Sequence, residues 1–331
     1  MITLVWRSDV HLADHPPQSR TDNWRETVLG KIRQVGDIAR EVGADAVLDG
    51  GDFFNIRSPF RNSHQLVYQA TVAHETYPCP VYANVGNHDV KYGDYRFLSE
   101  QPLGVLFESG VFHRLYDDFD EIFTPAPVTG MGFDYKVRVV GIPYHGHRYD
   151  MERFSGIKKD REDVLVVAAH VLASPKGGSM FEGEDIVKYK DLTTLAPDVD
   201  VWCFGHWHKD QGVTEIAPGK WVVNVGSLSR GSIGQDDVKR TPTVAILRFD
   251  PDDGIEIETR EIDVRPAAEV FDLEGRVRAE SRAFSVEAFV DSIEETLSEG
   301  QQEPIPDVIR GLPDVPEPVK ERSLVYWEES R

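Results

Sequence analysis

Five short segments of this chain set metal-ligating side chains beside glycine or at the end of an apolar run. They are Asp9-Val10-His11, Gly50-Gly51-Asp52, Gly86-Asn87-His88-Asp89, His170 and Gly205-His206-Trp207-His208. Residues two apart on an extended chain point the same way, so Asp9 and His11 can chelate one ion, and His206 and His208 can aim two imidazoles into one site. Asp52 is placed to bridge two cations. Asn87 adds a neutral oxygen, which keeps the centre from becoming too anionic to accept a phosphate. Mixed nitrogen and oxygen donors suit Mn, Zn or Fe better than Mg or Ca. Two such ions roughly 3.5–4 Å apart clamp a phosphate, activate a water and stabilise the leaving oxygen. A lone D-x-H is a weak signal, and a histidine such as His170 is more often a satisfied core residue. The weight comes from five segments in one order, each closing an apolar run.

Those runs are the elements that must position the site. Strands are expected at Ile2–Trp6, Ala46–Leu48, Val81–Val85, Val137–Ile142, Val164–Ala169, Val201–Phe204, Trp221–Val225 and Thr243–Phe249. Between them, Val28, Ile32, Val35 and Ile38 recur at helical spacing within Trp24–Val42, and Ser63–Thr76 suits a second helix. The alternation predicts an α/β fold in which sheets are covered by helices, with ligands in the crevice beyond the strand carboxyl ends. The composition shifts after Asp263, so the organisation expected is a domain over 1–263 and a small α+β cap or tail over 264–331. In the latter, Ser285–Leu297 has the pattern of an amphipathic helix and Glu303–Val319 is rich in proline and acid.

The chain has 331 residues, 40% hydrophobic and 28% charged, which is enough for one sizeable core and a small appendage. No apolar run is long enough to span a bilayer, and Met1 leads straight into a strand-like run rather than a signal peptide. Cys79 and Cys203 sit in or beside apolar runs with no C-x-x-C, as buried reduced thiols do. A cytoplasmic location is expected, with no membrane partner. The net charge of −21 argues against a nucleic-acid binder, because phosphate contacts need Lys and Arg. Two things offset it: bound cations cancel carboxylates at the site, and Arg57, Arg61, Arg148, Arg153, Lys158, Lys159 and Arg161 are candidates for local basic patches.

The ordered motifs D-x-H, G-D, G-N-H-D, H and G-H-x-H resemble the calcineurin-like metallophosphoesterase family over roughly residues 1–230. The resemblance implies a four-layer α/β/β/α sandwich. It also implies a division of ligands: Asp9, His11, Asp52 and His208 on one ion, and Asp52, Asn87, His170 and His206 on the other. His88 is then a catalytic residue that contacts phosphate and assists the leaving group, with Asp89 placed to orient it. Within the family, the opening Ile2–Leu12, the segment Gly51-Asp52-Phe53-Phe54 with Pro59 and Ser63, and the loop Asn224–Ser227 with Arg230 and Ser232 resemble SbcD-type nuclease subunits of double-strand-break repair, including phage-encoded relatives.

That likeness implies Mn2+ as the cofactor, DNA as substrate, a homodimer, an SbcC-like SMC-type ATPase partner, and a bacterial, archaeal or phage-infected cytoplasm. Asn55 stands where the family commonly has histidine, and Asn55 and Arg230 are candidate substrate contacts; Arg230 is alternatively a loop tie to Asp236. The helical segments Ser63–Thr76 and Tyr92–Ser109 are candidate dimer surfaces.

The function expected is a metal-dependent DNA exo- or endonuclease acting in repair or recombination. A phosphatase or small-nucleotide phosphodiesterase on the same centre is the alternative, and the net charge favours it. A non-catalytic scaffold is disfavoured by the complete ligand set. His145 and His147 imitate a second H-x-H but have the character of solvated loop residues. Trp207 is equally suited to base stacking and to packing. The Gly-rich loop Ser174–Glu184 is either a flap or a surface loop.

Overall fold

The computed structural model describes residues 1–273 except 18, 91–93, 117–119, 125–134, 178–182 and 233, and beyond them only 306, 309, 310, 317, 320–322 and 324. A compact unit runs Met1–Phe271, and Asp272–Arg331 forms a second. The first thus extends past Asp263 to the short helix Ala267–Val270, whose neighbour Phe271 bridges to Arg20. The helix expected at Ser285–Leu297 lies outside the described residues. Among the described residues, no helix is long and apolar enough to cross a membrane.

Two six-stranded sheets face each other. The first contains β1 (Ile2–Arg7), β2 (Ala46–Asp49), β3 (Val81–Ala83), β4 (His113–Arg114), β13 (Thr243–Asp250) and β14 (Gly254–Glu261), in the order β14-β13-β1-β2-β3-β4. The second contains β5 (Asp120–Phe123), β6 (Val137–Ile142), β7 (Val164–His170), β10 (Val201–Gly205), β11 (Gly212–Ala217) and β12 (Lys220–Asn224), in the order β11-β12-β10-β7-β6-β5. In each, the central strands β1-β2-β3 and β6-β7-β10-β12 are parallel. The short strands β8 (Ala173–Ser174) and β9 (Val187–Lys188) pair with each other in a separate two-stranded sheet.

Period-2 alternation explains the layering. Ile2, Leu4 and Trp6 of β1 pack with Val166, Ala168, Val201 and Cys203 of the second sheet in the space between. Val5 faces the other way, toward α1 (Trp24–Glu41), α2 (His64–Glu75) and α3 (Pro102–Glu108). Leu165, Val167, Trp202 and Phe204 face outward from the second sheet and are covered by α4 (Met151–Ser155) and α5 (Tyr189–Leu195). The result is helix, sheet, sheet, helix. Both long helices start on side-chain caps: Asn23 accepts from Glu26 N–H, and Ser63 from Leu66 N–H.

Two polar ties cross this apolar interior below the strand ends. Asn84, just past β3, donates from Nδ2 to the carbonyls of Ile142 and Ala168, 2.9 Å each, fastening the first sheet to β6 and β7 of the second. Arg7 and Asp49 close β1 and β2 with a fully buried ion pair, Nε to Oδ2 at 2.7 Å. The rest of the guanidinium reaches Tyr77 Oη at 2.8 Å and His74 Nε2 at 2.9 Å. His74 Nδ1 bonds to the Ala70 carbonyl, so Nε2 is the acceptor for Arg7. Removing one member of a buried pair strands the other charge, at about 3–5 kcal/mol. Arg7→Ala is therefore expected to lower the unfolding free energy by about that much in urea titration; a midpoint equal to wild type would show that the pair does not hold the strand ends.

Candidate metal centre

The five motifs emerge at the carboxyl ends of β1, β2, β3, β7 and β10. The loops after β1 and β2 run side by side: the N–H groups of Asp9, His11 and Leu12 donate to the carbonyls of Gly51, Asp52 and Phe53 at 3.1, 3.0 and 2.9 Å. The backbone there is not extended. Asp9, His11, Asp52 and His206 take φ of 54°, 50°, 54° and 81°. Asp and His are among the side chains that tolerate this left-handed region best, but each such residue stores strain. The D-x-H and H-x-H pairs thus converge through left-handed turns, not through the strand alternation expected from their spacing. Gly86 allows a further close approach, since a Cβ there would lie 2.1 Å from Asp52 Oδ1.

The seven sequence-derived ligands lie together. Asp9, His11, Asp52 and His208 offer donor atoms within 4.8 Å of one another, and so do Asp52, His170 and His206. Asn87 Oδ1 is 3.2 Å from His170 Nε2, which adds it to the second group. Asp52 belongs to both. Its Oδ1 accepts from His88 N–H at 2.7 Å. Its Oδ2 is buried with no hydrogen-bond partner; it faces His170 Nε2 at 3.4 Å and His11 Nε2 at 3.9 Å. A buried carboxylate oxygen without a donor is costly. His11 Nε2 and His208 Nε2 lie 2.9 Å apart, converging on one point. An orphaned oxygen between two clusters of imidazole nitrogens fits a pair of divalent cations.

The electrostatics of these side chains follow from the same burial and proximity. Burial, with His208 alongside, pushes His11 down to about 3, so its ring is a neutral donor. Burial opposes charge on His170 too, but the Asp52 carboxylate outweighs it and lifts the imidazole to about 9. Burial likewise opposes ionisation of Asp52, yet His170, His88 and His11 hold its carboxyl well below the usual range. Burial and the Asp52 charge together push Asp89 well above that range.

His88 and Asp89, adjacent in sequence, do different jobs. Asp89 was expected to orient His88; instead its Oδ2 accepts from Asp52 N–H at 2.7 Å and Gly86 N–H at 2.9 Å, bracing the two metal loops. The His88 ring is held by the Asn55 carbonyl, 2.7 Å from Nδ1. A carbonyl only accepts, so Nδ1 carries a proton and Nε2 is the nitrogen left for the cleft. Asn55 thus acts through its backbone.

Arg230, the other candidate substrate contact, is 4% exposed. It donates to the Arg265 carbonyl and lies over the Phe271 ring, so it is a buried tie under the loop. Asp236, its suggested partner, faces Lys209 at 3.4 Å instead.

His145 is occupied by the Pro143 carbonyl and Asp150 N–H, whereas His147 and Trp207 line the cavity over the candidate ligands, about 720 Å³. Sequence reasoning did not single out Tyr144, Tyr149 or Glu184; only Glu184 had a signal, as the end of the Gly-rich loop.

The family model for calcineurin-like phosphoesterases matches residues 3–210. The chain belongs to that family. Solved structures similar to it include a dimetal phosphatase from Danio rerio, at 12% identity over 79% of this chain and 99% of the other, with a TM-score of 0.49. The protein TT1561 of Thermus thermophilus has 12% identity, the same coverages and a TM-score of 0.45. An archaeal phosphodiesterase has 15% identity, coverages of 79% and 100%, and a TM-score of 0.36. A sequence comparison with curated proteins gives no match. As a calcineurin-like member with a dinuclear divalent-metal site, the chain is a metal-dependent phosphoester hydrolase.

The raised His170 value has a directional consequence. In the metal-free chain its proton stabilises the fold below the ordinary value of 6.5, and that contribution is lost as pH rises through about 9. A cation competes with this proton. Loading the metal-free protein is therefore expected to release protons and to tighten with pH up to about 9. Calorimetry in buffers of different ionisation enthalpy measures both, and a pH-independent affinity with no proton release would contradict the account.

Proposed function

We propose that this enzyme is a Mn2+-dependent DNA nuclease of the SbcD type. The observation that carries the reading is a pair of cavities, one lined by His88 and the other by Asn55, the residue whose carbonyl holds the His88 ring. One, about 720 Å³, lies over Asp52, Asn87, His88 and His208 and is walled by Tyr144 and Trp207. The other, about 920 Å³, includes Asn55, whose carbonyl holds His88, together with His15, Phe60 and Arg61. A small monoester needs one cavity, whereas a polynucleotide continues on both sides of its scissile phosphate. Phe60 is fully exposed beside Arg61, and an aromatic face next to a cation suits stacking bases and tracking phosphates.

With two divalent ions bound, the centre supplies charge neutralisation on the phosphate and an activated water. The chain supplies the rest. Asp52 holds the two ligand groups in register. His88, its Nδ1–H fixed on Asn55, turns Nε2 to the cleft, and a ring carrying a proton on both nitrogens would donate the Nε2 proton to the departing sugar oxygen and be left neutral. General acid catalysis of this kind contributes roughly 10²–10⁴-fold.

Digestion of labelled DNA with Mn2+ is expected to be lost in Asp52→Ala and reduced about 10²–10⁴-fold in His88→Ala. Full activity of either variant would refute these roles. The net charge of −21, with Asp236 and Asp237 on the wall of the first cavity, favours a phosphatase or small-nucleotide phosphodiesterase as the second reading. Turnover of p-nitrophenyl esters by a chain that leaves DNA intact would establish it.

By the same subfamily likeness, the enzyme is proposed to be a homodimer working with an SbcC-like SMC-type ATPase. Tyr68 and Val72 on α2 and Val105 on α3 are 63%, 36% and 48% exposed, an apolar face suited to a second copy. Light scattering is expected to give twice the chain mass for wild type and the chain mass for Tyr68→Glu; a monomeric wild type would end the proposal.

A further inference from the structure

His206 carries a partner that the metal motifs do not contain. Its Nε2 lies 2.9 Å from Glu184 Oε1, and the two side chains are only 10% and 4% exposed. An ionised carboxylate accepts and cannot donate, so the proton of the neutral imidazole sits on Nε2. Nδ1 is then the lone pair left for an ion. Glu184 belongs to neither group of metal-competent donors among the described residues, and it lines the same cavity as His206.

Glu184 is itself held. Tyr149 Oη donates to the same Oε1 at 3.0 Å and accepts the Leu172 N–H at 2.8 Å. Leu172 is two residues beyond His170 on the chain that continues β7. The series Leu172, Tyr149, Glu184, His206 therefore couples the two histidines of the second ligand group. As neutral ligands, those histidines would take opposite tautomers. The His170 Nδ1–H donates to the Gly50 carbonyl at 2.8 Å, leaving Nε2 for the ion. His206 spends Nε2 and leaves Nδ1. Without Glu184, nothing in this series would hold the His206 proton on Nε2 or stop the ring from turning.

We propose that Glu184, fixed by Tyr149, is a positioning residue that sets the tautomer and orientation of His206 and thereby the affinity of the second metal position. The proposal rests on the dinuclear reading of the site. A carboxylate behind a ligating imidazole fixes the ring and raises its basicity, and removing one typically weakens metal binding 10–100-fold.

Metal-stripped full-length chain titrated with Mn2+ in a calorimeter tests this. Wild type is expected to take up two ions. Glu184→Ala is expected to weaken one step about 10–100-fold and leave the other unchanged. Glu184→Gln, whose amide oxygen still accepts from Nε2, is expected to restore most of the loss. Equal affinities in wild type and Glu184→Ala would overturn the proposal. So would a glutamine variant as weak as the alanine one, because the carboxylate would then act as a ligand or a charge. Uptake of fewer than two ions by wild type would instead remove the dinuclear reading, and this inference with it.

A second measurement stands even if Glu184→Ala does not fold. In 15N spectra of the wild-type chain, His206 is expected to be protonated at Nε2, and Zn2+ is expected to shift Nδ1. A ring protonated at Nδ1, or shifted by Zn2+ at Nε2, rules the assignment out.

Discussion

Four carboxylates, Asp9, Asp49, Asp52 and Asp89, are buried within one small volume where the first sheet ends against the second. Burying one such group without partners is costly, and burying four together is tolerated only if donors are aimed at them. Much of the local structure serves that requirement. Asp49 is met by Arg7 and by Gly51 N–H. Asp9 takes the Ser8 hydroxyl and the His206 N–H, which ties β10 to β1. Asp89 takes the N–H groups of Asp52 and Gly86, which ties β2 to β3. Asp52 has one oxygen satisfied by His88 N–H and one left over. The single unmet acceptor of the cluster is thus the oxygen that both ligand groups share.

The same economy governs the histidines. His88, His170 and His206 each spend one ring nitrogen on a fixed acceptor: the Asn55 carbonyl, the Gly50 carbonyl and the Glu184 carboxylate. Each is left with one defined nitrogen for chemistry. For His170 that nitrogen faces Asp52, and for His206 it is the one left for an ion; for His88 it is available to the substrate cavity. A metal site and a proton donor are in this way built from one side-chain type, and the acceptor behind each ring selects its role.

Much of this was legible in the amino-acid order. The central strands and both long helices follow from apolar runs and helical spacing, because parallel strands covered on both faces are hydrophobic throughout. All seven ligand candidates stand at strand ends and converge. The edges were harder. β14 carries Glu256, Glu258 and Glu261 with isoleucines between, and its charge masked a strand that has a neighbour on one side only. The support of the site was least legible. The family resemblance made Asp89 the expected partner of His88, but the two side chains hydrogen-bond to different groups. Glu184 lies 22 residues from His206, and no periodicity links them. Arg230 followed a motif that invited a phosphate contact, yet it is folded under Phe271.

The left-handed backbone at Asp9, His11, Asp52 and His206 sets selection for folding against selection for activity. Glycine at any of these positions would relax the local conformation, and asparagine would relieve the crowding of negative charge at Asp9 and Asp52. Such changes would yield a chain that folds more readily and hydrolyses nothing. A lineage released from its catalytic duty would therefore be expected to lose these residues early, while Arg7, Asp49 and Asn84 persisted.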